Sequence, residues 1–218
     1  MEKSLEIIWK EGFLKHDALI APRINNLYQQ KSRHILDKFK KMFKINLVAI
    51  VVGSFVVLLA SFFFGIPVTG ILLFLILNTI VAVNRKLLKG LLKIDKSDNS
   101  YNYLKSFSDW MQQQLLVNAQ MASFYYPLIF LAILLGFWFF NMDGTPMGEA
   151  LVQKFIMHYP DSYLIFGIPV IGIIGVVLIM ILLAFFGRKI YKWDVNLIYG
   201  RVFKKLNELL ADMEELRA

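Results

Sequence analysis

The sequence predicts an all-α polytopic membrane protein: four transmembrane helices in two hairpins, with helical extensions that form a cytoplasmic bundle. Three observations carry this. Hydrophobic residues make up 57% of the 218 positions and charged residues only 18%, with a mean hydropathy of +0.56; a water-soluble domain carries about a quarter charged residues. The charges fall in blocks, leaving four long runs without Asp, Glu, Lys, Arg or His. Between those runs, apolar residues recur at three- and four-residue spacing, the period of an amphipathic helix.

The first 44 residues read as cytoplasmic helices. Leu5, Ile8, Trp9, Phe13 and Ile20 share one helical face, and Pro22 suits the first turn of a second helix. Leu27, Tyr28, Ile35, Leu36, Phe39, Met42 and Phe43 continue the pattern, with Lys38, Lys40, Lys41 and Lys44 as a basic cluster facing lipid headgroups. No breaker interrupts the pattern, so one helix is expected from about residue 23 to 64. The start, "MEKSLEIIWKEGF", lacks the compact apolar stretch of a signal peptide. The first span is therefore read as a permanent anchor.

A membrane-crossing helix needs about 20 mostly apolar residues. The runs at 45–64 and 66–83 form the first hairpin, so 45–83 is one transmembrane region. Residues 84–120 form a cytoplasmic helical hairpin, turning at "DKSDNS". The second transmembrane region, 121–186, holds spans at 121–140 and 163–186 and an outer segment at 141–162. That segment has a turn at Asp143-Gly144 and a short helix near residues 147–157. Residues 187–218 close the chain as a cytoplasmic helix with Ile190, Val195, Ile198, Val202, Phe203, Leu206, Leu209, Leu210, Met213 and Leu216 on a broad stripe.

Orientation follows the basic residues. Residues 1–44, 84–120 and 187–218 hold 10, 6 and 7 of the 24 Lys and Arg, and 141–162 hold one, Lys154. Both termini are therefore expected to face the cytoplasm. The +8 net charge is accounted for by this sidedness, and no nucleic-acid partner is expected.

Two stretches share a frame: "GIPVTGI" at 65–71 and "GIPVIGI" at 167–173. Their glycines are expected to let helices approach closely, with the prolines near helix starts. Shared ancestry of the two hairpins is the competing explanation.

The chemistry-bearing residues are sparse. An ionisable residue inside a span would mark a functional site, and none is present. Asn78 and Thr79 are the intramembrane polar candidates, with a helix-to-helix hydrogen bond set against a substrate contact; Ser54 and Thr69 complete that set. His16, His34 and His158 lie far apart, cysteine is absent, and no nucleotide, zinc-protease or serine-hydrolase motif occurs. The expectation is a non-enzyme without cofactor or metal.

"LEIIWKEGFLKHDAL", "INNLYQQKSRHILDKFKKMFKINL" and "DNSYNYLKSFSDWMQQQ" together resemble a group of uncharacterised bacterial four-span membrane proteins with amphipathic cytoplasmic helices. The resemblance implies the architecture and no activity. The layout is also loosely similar to membrane-anchored anti-sigma factors, although the zinc-binding His/Cys pattern of many such domains is missing.

The expected function is thus a membrane-anchored interaction or regulatory protein that binds a cytosolic or membrane protein through its cytoplasmic helices. Trp9, Phe13, Tyr103 and Trp110 are its partner-binding candidates, because aromatic residues dominate binding hot spots; burial within the bundle is their competing role. The alternative is an oligomeric transporter or channel component for a neutral or lipid-like molecule, with a cavity lined by Asn78, Thr79, Thr69 and Ser54.

Overall fold

The computed structural model describes residues 22–94, 100–142 and 144–215. Five helices dominate them: α1 (Pro22–Phe63), α2 (Pro67–Leu92), α3 (Ser100–Trp138), the short α4 (Met147–His158) and α5 (Val170–Glu215). Two two-residue hairpins, β1 (Asn141–Met142) with β2 (Thr145–Pro146) and β3 (Leu164–Ile165) with β4 (Ile168–Pro169), complete the fold. The four long helices are each long and apolar enough to cross a membrane. The fold is all-α and polytopic. The expected helix over 4–20, and the turn over 95–99, lie outside the described residues.

Helices α1, α2, α3 and α5 outrun the roughly 20 residues a bilayer requires. α5 alone has 46 residues, about 70 Å at 1.5 Å per residue. The surplus belongs to a separate compact unit. Contacts divide the chain into an extension unit, Met1–Ile45 with Leu87–Gln114 and Asp194–Ala218, and a span unit, Asn46–Lys86 with Leu115–Trp193.

The extension unit has its own core. Leu36 and Phe39 of α1, Leu91 of α2, Leu104 and Phe107 of α3, and Leu206 and Met213 of α5 are all at most 1% exposed. Leu36, Phe39, Leu206 and Met213 belong to the stripes that the sequence spacing marks. Rings add shape to the packing: Phe39 meets Phe107 edge-on at 5.3 Å between centroids and Tyr199 at the same distance. Edge-to-face pairs at such separations add about 0.5–1.5 kcal/mol beyond the area they bury. One stripe residue departs from expectation. Ile198 is exposed and its neighbour Tyr199 is buried, because Tyr199 lies four residues from Val195 and seven from Leu206.

In the span unit, closure of the first hairpin is short. α1 ends at Phe63, Gly65 turns the chain at φ +70°, and α2 starts with Pro67. Gly supplies the left-handed conformation, and Pro at the first helical position loses no internal hydrogen bond. In α3, Pro127 sits inside the helix and removes the N–H that would otherwise bond the Ser123 carbonyl.

The fourth span differs from expectation. Residues 163–169 are not helical but form the β3–β4 hairpin, and the helix starts at Val170. Phe166 and Gly167 both have positive φ, +51° and +78°, the paired left-handed conformation of a tight hairpin. The Val170 N–H donates to the Tyr163 carbonyl at 3.0 Å and closes the loop. Apolarity alone extends the span over this turn; the backbone does not.

Candidate functional site

Most intramembrane polar groups named from sequence are satisfied by the helices around them. Asn78 Nδ2 donates to the Ser54 hydroxyl at 3.1 Å and to the Phe74 carbonyl at 2.8 Å. Ser54 in turn donates to the Val51 carbonyl. This is a bond between α1 and α2. Thr69 reaches the Ala132 carbonyl at 3.0 Å and so ties α2 to α3. Thr79 turns the other way, exposed, and donates to Leu75 of its own helix. Asn78 and Thr79 are adjacent in sequence but donate to different groups, and only Asn78 reaches a second helix. The set does not converge on a shared cavity; it stitches helices together.

Sequence reasoning missed the most complete polar contact in this unit. Asn84 and Asn118, 6% and 3% exposed, exchange two amide hydrogen bonds at 2.9 and 3.2 Å across α2 and α3. The signal was available: one Asn lies at the end of each apolar run, where two antiparallel helices bring the same depth together.

The basic cluster does not share one surface. Lys38, Lys41 and Lys44 are exposed, whereas Lys40 is 8% exposed. Lys40 stands four residues after Leu36 and three before Phe43, which places it on the buried stripe of α1.

Of the aromatic candidates, Trp9 and Phe13 lie outside the described residues. Tyr103 is 4% exposed. Trp110, half-buried, stacks near Phe107 at 6.0 Å and donates its indole N–H to the Leu87 carbonyl at 3.0 Å. Both rings are engaged in the packing of the extension unit and do not stand free on its surface. The apolar side chains that unit does expose on α5 are Leu197, 79%, and Ile198, 53%.

Among the described residues no group of three His, Asp or Glu could hold a metal ion. His34 and His158 are exposed, and His158 Nδ1 lies 3.0 Å from the Lys154 carbonyl oxygen.

The span unit also leaves an open space away from these polar groups. An apolar cleft of about 580 Å³ lies between the end of α3, the short α4 and the start of α5. Leu135 and Trp138 form one wall, Val152 and Phe155 of α4 a second, and Gly172 and Val176 of α5 a third. The architecture follows from small residues. Gly148 is buried, and a Cβ there would run into the Trp138 ring, so only glycine lets α4 lie against that indole. At Gly172 the reverse holds: a Cβ would meet nothing within 4 Å. The glycines of α5 therefore differ from expectation, because Gly172 and Gly175 both face open space while Gly187 makes the close approach, its added Cβ 2.8 Å from the Ala122 carbonyl oxygen.

Comparison of the chain with protein-family models, with curated proteins and with solved structures finds no match.

Proposed function

We propose that the chain is a non-enzymatic integral protein of the bacterial inner membrane, with both termini cytoplasmic, whose extension unit binds a cytosolic or membrane protein. The sidedness rests on the basic residues, 23 of 24 of which lie in segments assigned to the cytoplasm. The observation that carries the interaction reading is the adjacent exposed pair Leu197 and Ile198. They project from a helix whose Val195, Tyr199, Leu206 and Leu209 are buried within the unit's own core. Single exposed apolar residues are ordinary on protein surfaces. Two large ones side by side, on a helix that otherwise turns its stripe inward, fit a docking face.

The test is photo-crosslinking in native membranes with the reactive residue at Leu197, and at buried Tyr199 as the internal control. The expected result is one recurrent heterologous adduct at residue 197 and none at 199. Only self-adducts or lipid adducts at residue 197 count against the proposal.

A second reading, an oligomeric transporter or channel component for a neutral or lipid-like molecule, draws support from the apolar cleft and not from Asn78, Thr69 and Ser54, whose polar atoms bond to protein.

A further inference from the structure

We infer that the cleft between α3, α4 and α5 is a binding site for one acyl chain of a glycerophospholipid, drawn from the leaflet at the α4 end of the spans. This inference is independent of the partner proposed for the extension unit.

The chemistry of the walls comes first. Every residue lining the cleft is apolar or glycine, apart from the indole N–H of Trp138. An ordered water needs two to four polar partners, so the cleft is dry. It opens among the most apolar stretches of two spans, where the surrounding medium is hydrocarbon. At about 30 Å³ for a water- or methylene-sized group, 580 Å³ accommodates a chain of on the order of fifteen to twenty carbons.

Ordinary lipid contact along a span is not a site, and the difference here is a third wall. Only 6% of the most apolar window of α5 is buried, against 17–22% for the other three spans, so most of α5 meets lipid on an open face. At the cleft, α4 adds a third wall. Its Leu151, Val152 and Phe155 fall on one side of the helix at spacings of one, three and four, and all three line the cleft. Gly148 seats that helix against Trp138. The absent Cβ of Gly172 provides the floor.

The repeated frame shows what such a slot holds when the protein fills it. Gly70 stands where Gly172 stands in the second copy, and the Ser61 side chain of α1 occupies the space beside it. No atom of the described residues does so at Gly172. A cation lies on the same short helix. Lys154, exposed and next to Phe155 on α4, is the single Lys or Arg between residues 139 and 169. It flanks the apolar face of its helix and is the cation available to a headgroup phosphate.

The test uses the full chain reconstituted in phosphatidylcholine nanodiscs, with a minor fraction of phosphatidylethanolamine carrying a diazirine in one acyl chain. Adducts are mapped by peptide mass spectrometry. Labelling is expected to concentrate in residues 134–139, 151–155 and 168–177 and to be competed by unlabelled phosphatidylethanolamine. Gly172→Phe is expected to reduce it by at least about fivefold by filling a site of ligand size. Gly53→Phe, equally open to substitution but on α1 and outside the cleft, is expected to leave it unchanged and shows that the fold tolerates the added ring. Labelling spread over all four spans in proportion to exposed area, or equal in the two variants, overturns the inference. So does a protein–protein adduct at these residues in place of the lipid, which would assign the cleft to a second copy of the chain.

Discussion

Gly70 and Gly172 hold the same place in two copies of one seven-residue frame, and their surroundings are opposite. In both copies the leading glycine turns the chain at positive φ, +70° at Gly65 and +78° at Gly167. Pro67 is the first residue of α2, and Pro169 immediately precedes α5. The shared residues thus set a shared backbone path. Five positions after each turn glycine the copies part: Gly70 is pressed against Ser61 and the α1 backbone at Leu58, while Gly172 faces a cleft. The length of each connection explains the split. The first turn is so short that α1 and α2 must run side by side from the outset. In the second hairpin, residues 139–169 intervene, and α4 stands between the helix ends. A motif can specify how a helix begins without specifying what it packs against.

The largest test of this comparison is to fill both slots. Gly70→Leu forces Ser61 and the α1 backbone apart and is expected to cost about 2–3 kcal/mol, in the range for overpacking. Gly172→Leu is expected to change stability by no more than about 0.5 kcal/mol, the size of a surface substitution. The second hairpin has a close contact of its own, displaced along α5 to Gly187, where a Cβ would meet the Ala122 and Ser123 backbone at 2.8–3.0 Å. Gly187→Leu should therefore resemble Gly70→Leu. Reversible unfolding in mixed micelles measures all three. Equal costs at Gly70 and Gly172 would break the comparison.

A middle-sized effect concerns how the first hairpin is tied to α3. Asn84→Leu removes the two reciprocal amide hydrogen bonds with Asn118, at about 0.5–1.5 kcal/mol for a net hydrogen bond. Polar contacts between membrane helices average nearer 0.6 kcal/mol, so the lower part of that range is expected. The double replacement with Asn118→Leu should recover part of the loss, since it removes both polar groups together. Asn78→Leu should cost less than Asn84→Leu, because it gives up one hydrogen bond between helices where Asn84→Leu gives up two. If Asn78→Leu is the costlier change, the α1–α2 contact and not the α2–α3 contact is the main polar tie.

These cases show which parts of the molecule are legible in the sequence. The four spans, the unbroken passage of α1 from extension to span, and the core residues Leu36, Phe107 and Leu206 follow from apolar spacing, because periodicity records which face of a helix is buried. Periodicity does not record depth or partner. That is why charge alone groups Lys40 with its exposed neighbours although it is in register with Leu36 and Phe43, and why sequence leaves Trp110 open between a partner anchor and a place in the bundle. Residues 163–169 show the converse failure: a hairpin rich in Tyr, Leu, Ile and Phe carries the same hydropathy as a helix. The cleft lies beyond sequence reasoning altogether, since an empty space is a property of what three separate elements fail to fill.

The smallest difference between the two copies is expected at the turn glycines, where they should agree. Gly65→Ala and Gly167→Ala each place a Cβ on backbone in the left-handed region, where crowding against the following carbonyl costs roughly 1–2 kcal/mol. Neighbours add little to either. The nearest atom to a Cβ at Gly65 is in the Phe140 ring at 3.7 Å, an ordinary contact, and at Gly167 nothing lies within 4 Å. The two losses should therefore match to within about 0.5 kcal/mol. Asn at either position should cost less than Ala, because its short polar side chain tolerates this conformation. Phe166 supplies the sign reversal. It already holds φ +51° with a side chain 99% exposed, so Phe166→Asn should stabilise the hairpin, by up to about 1 kcal/mol. A loss at Phe166→Asn would mean that the ring is held by lipid strongly enough to outweigh the strain of its backbone.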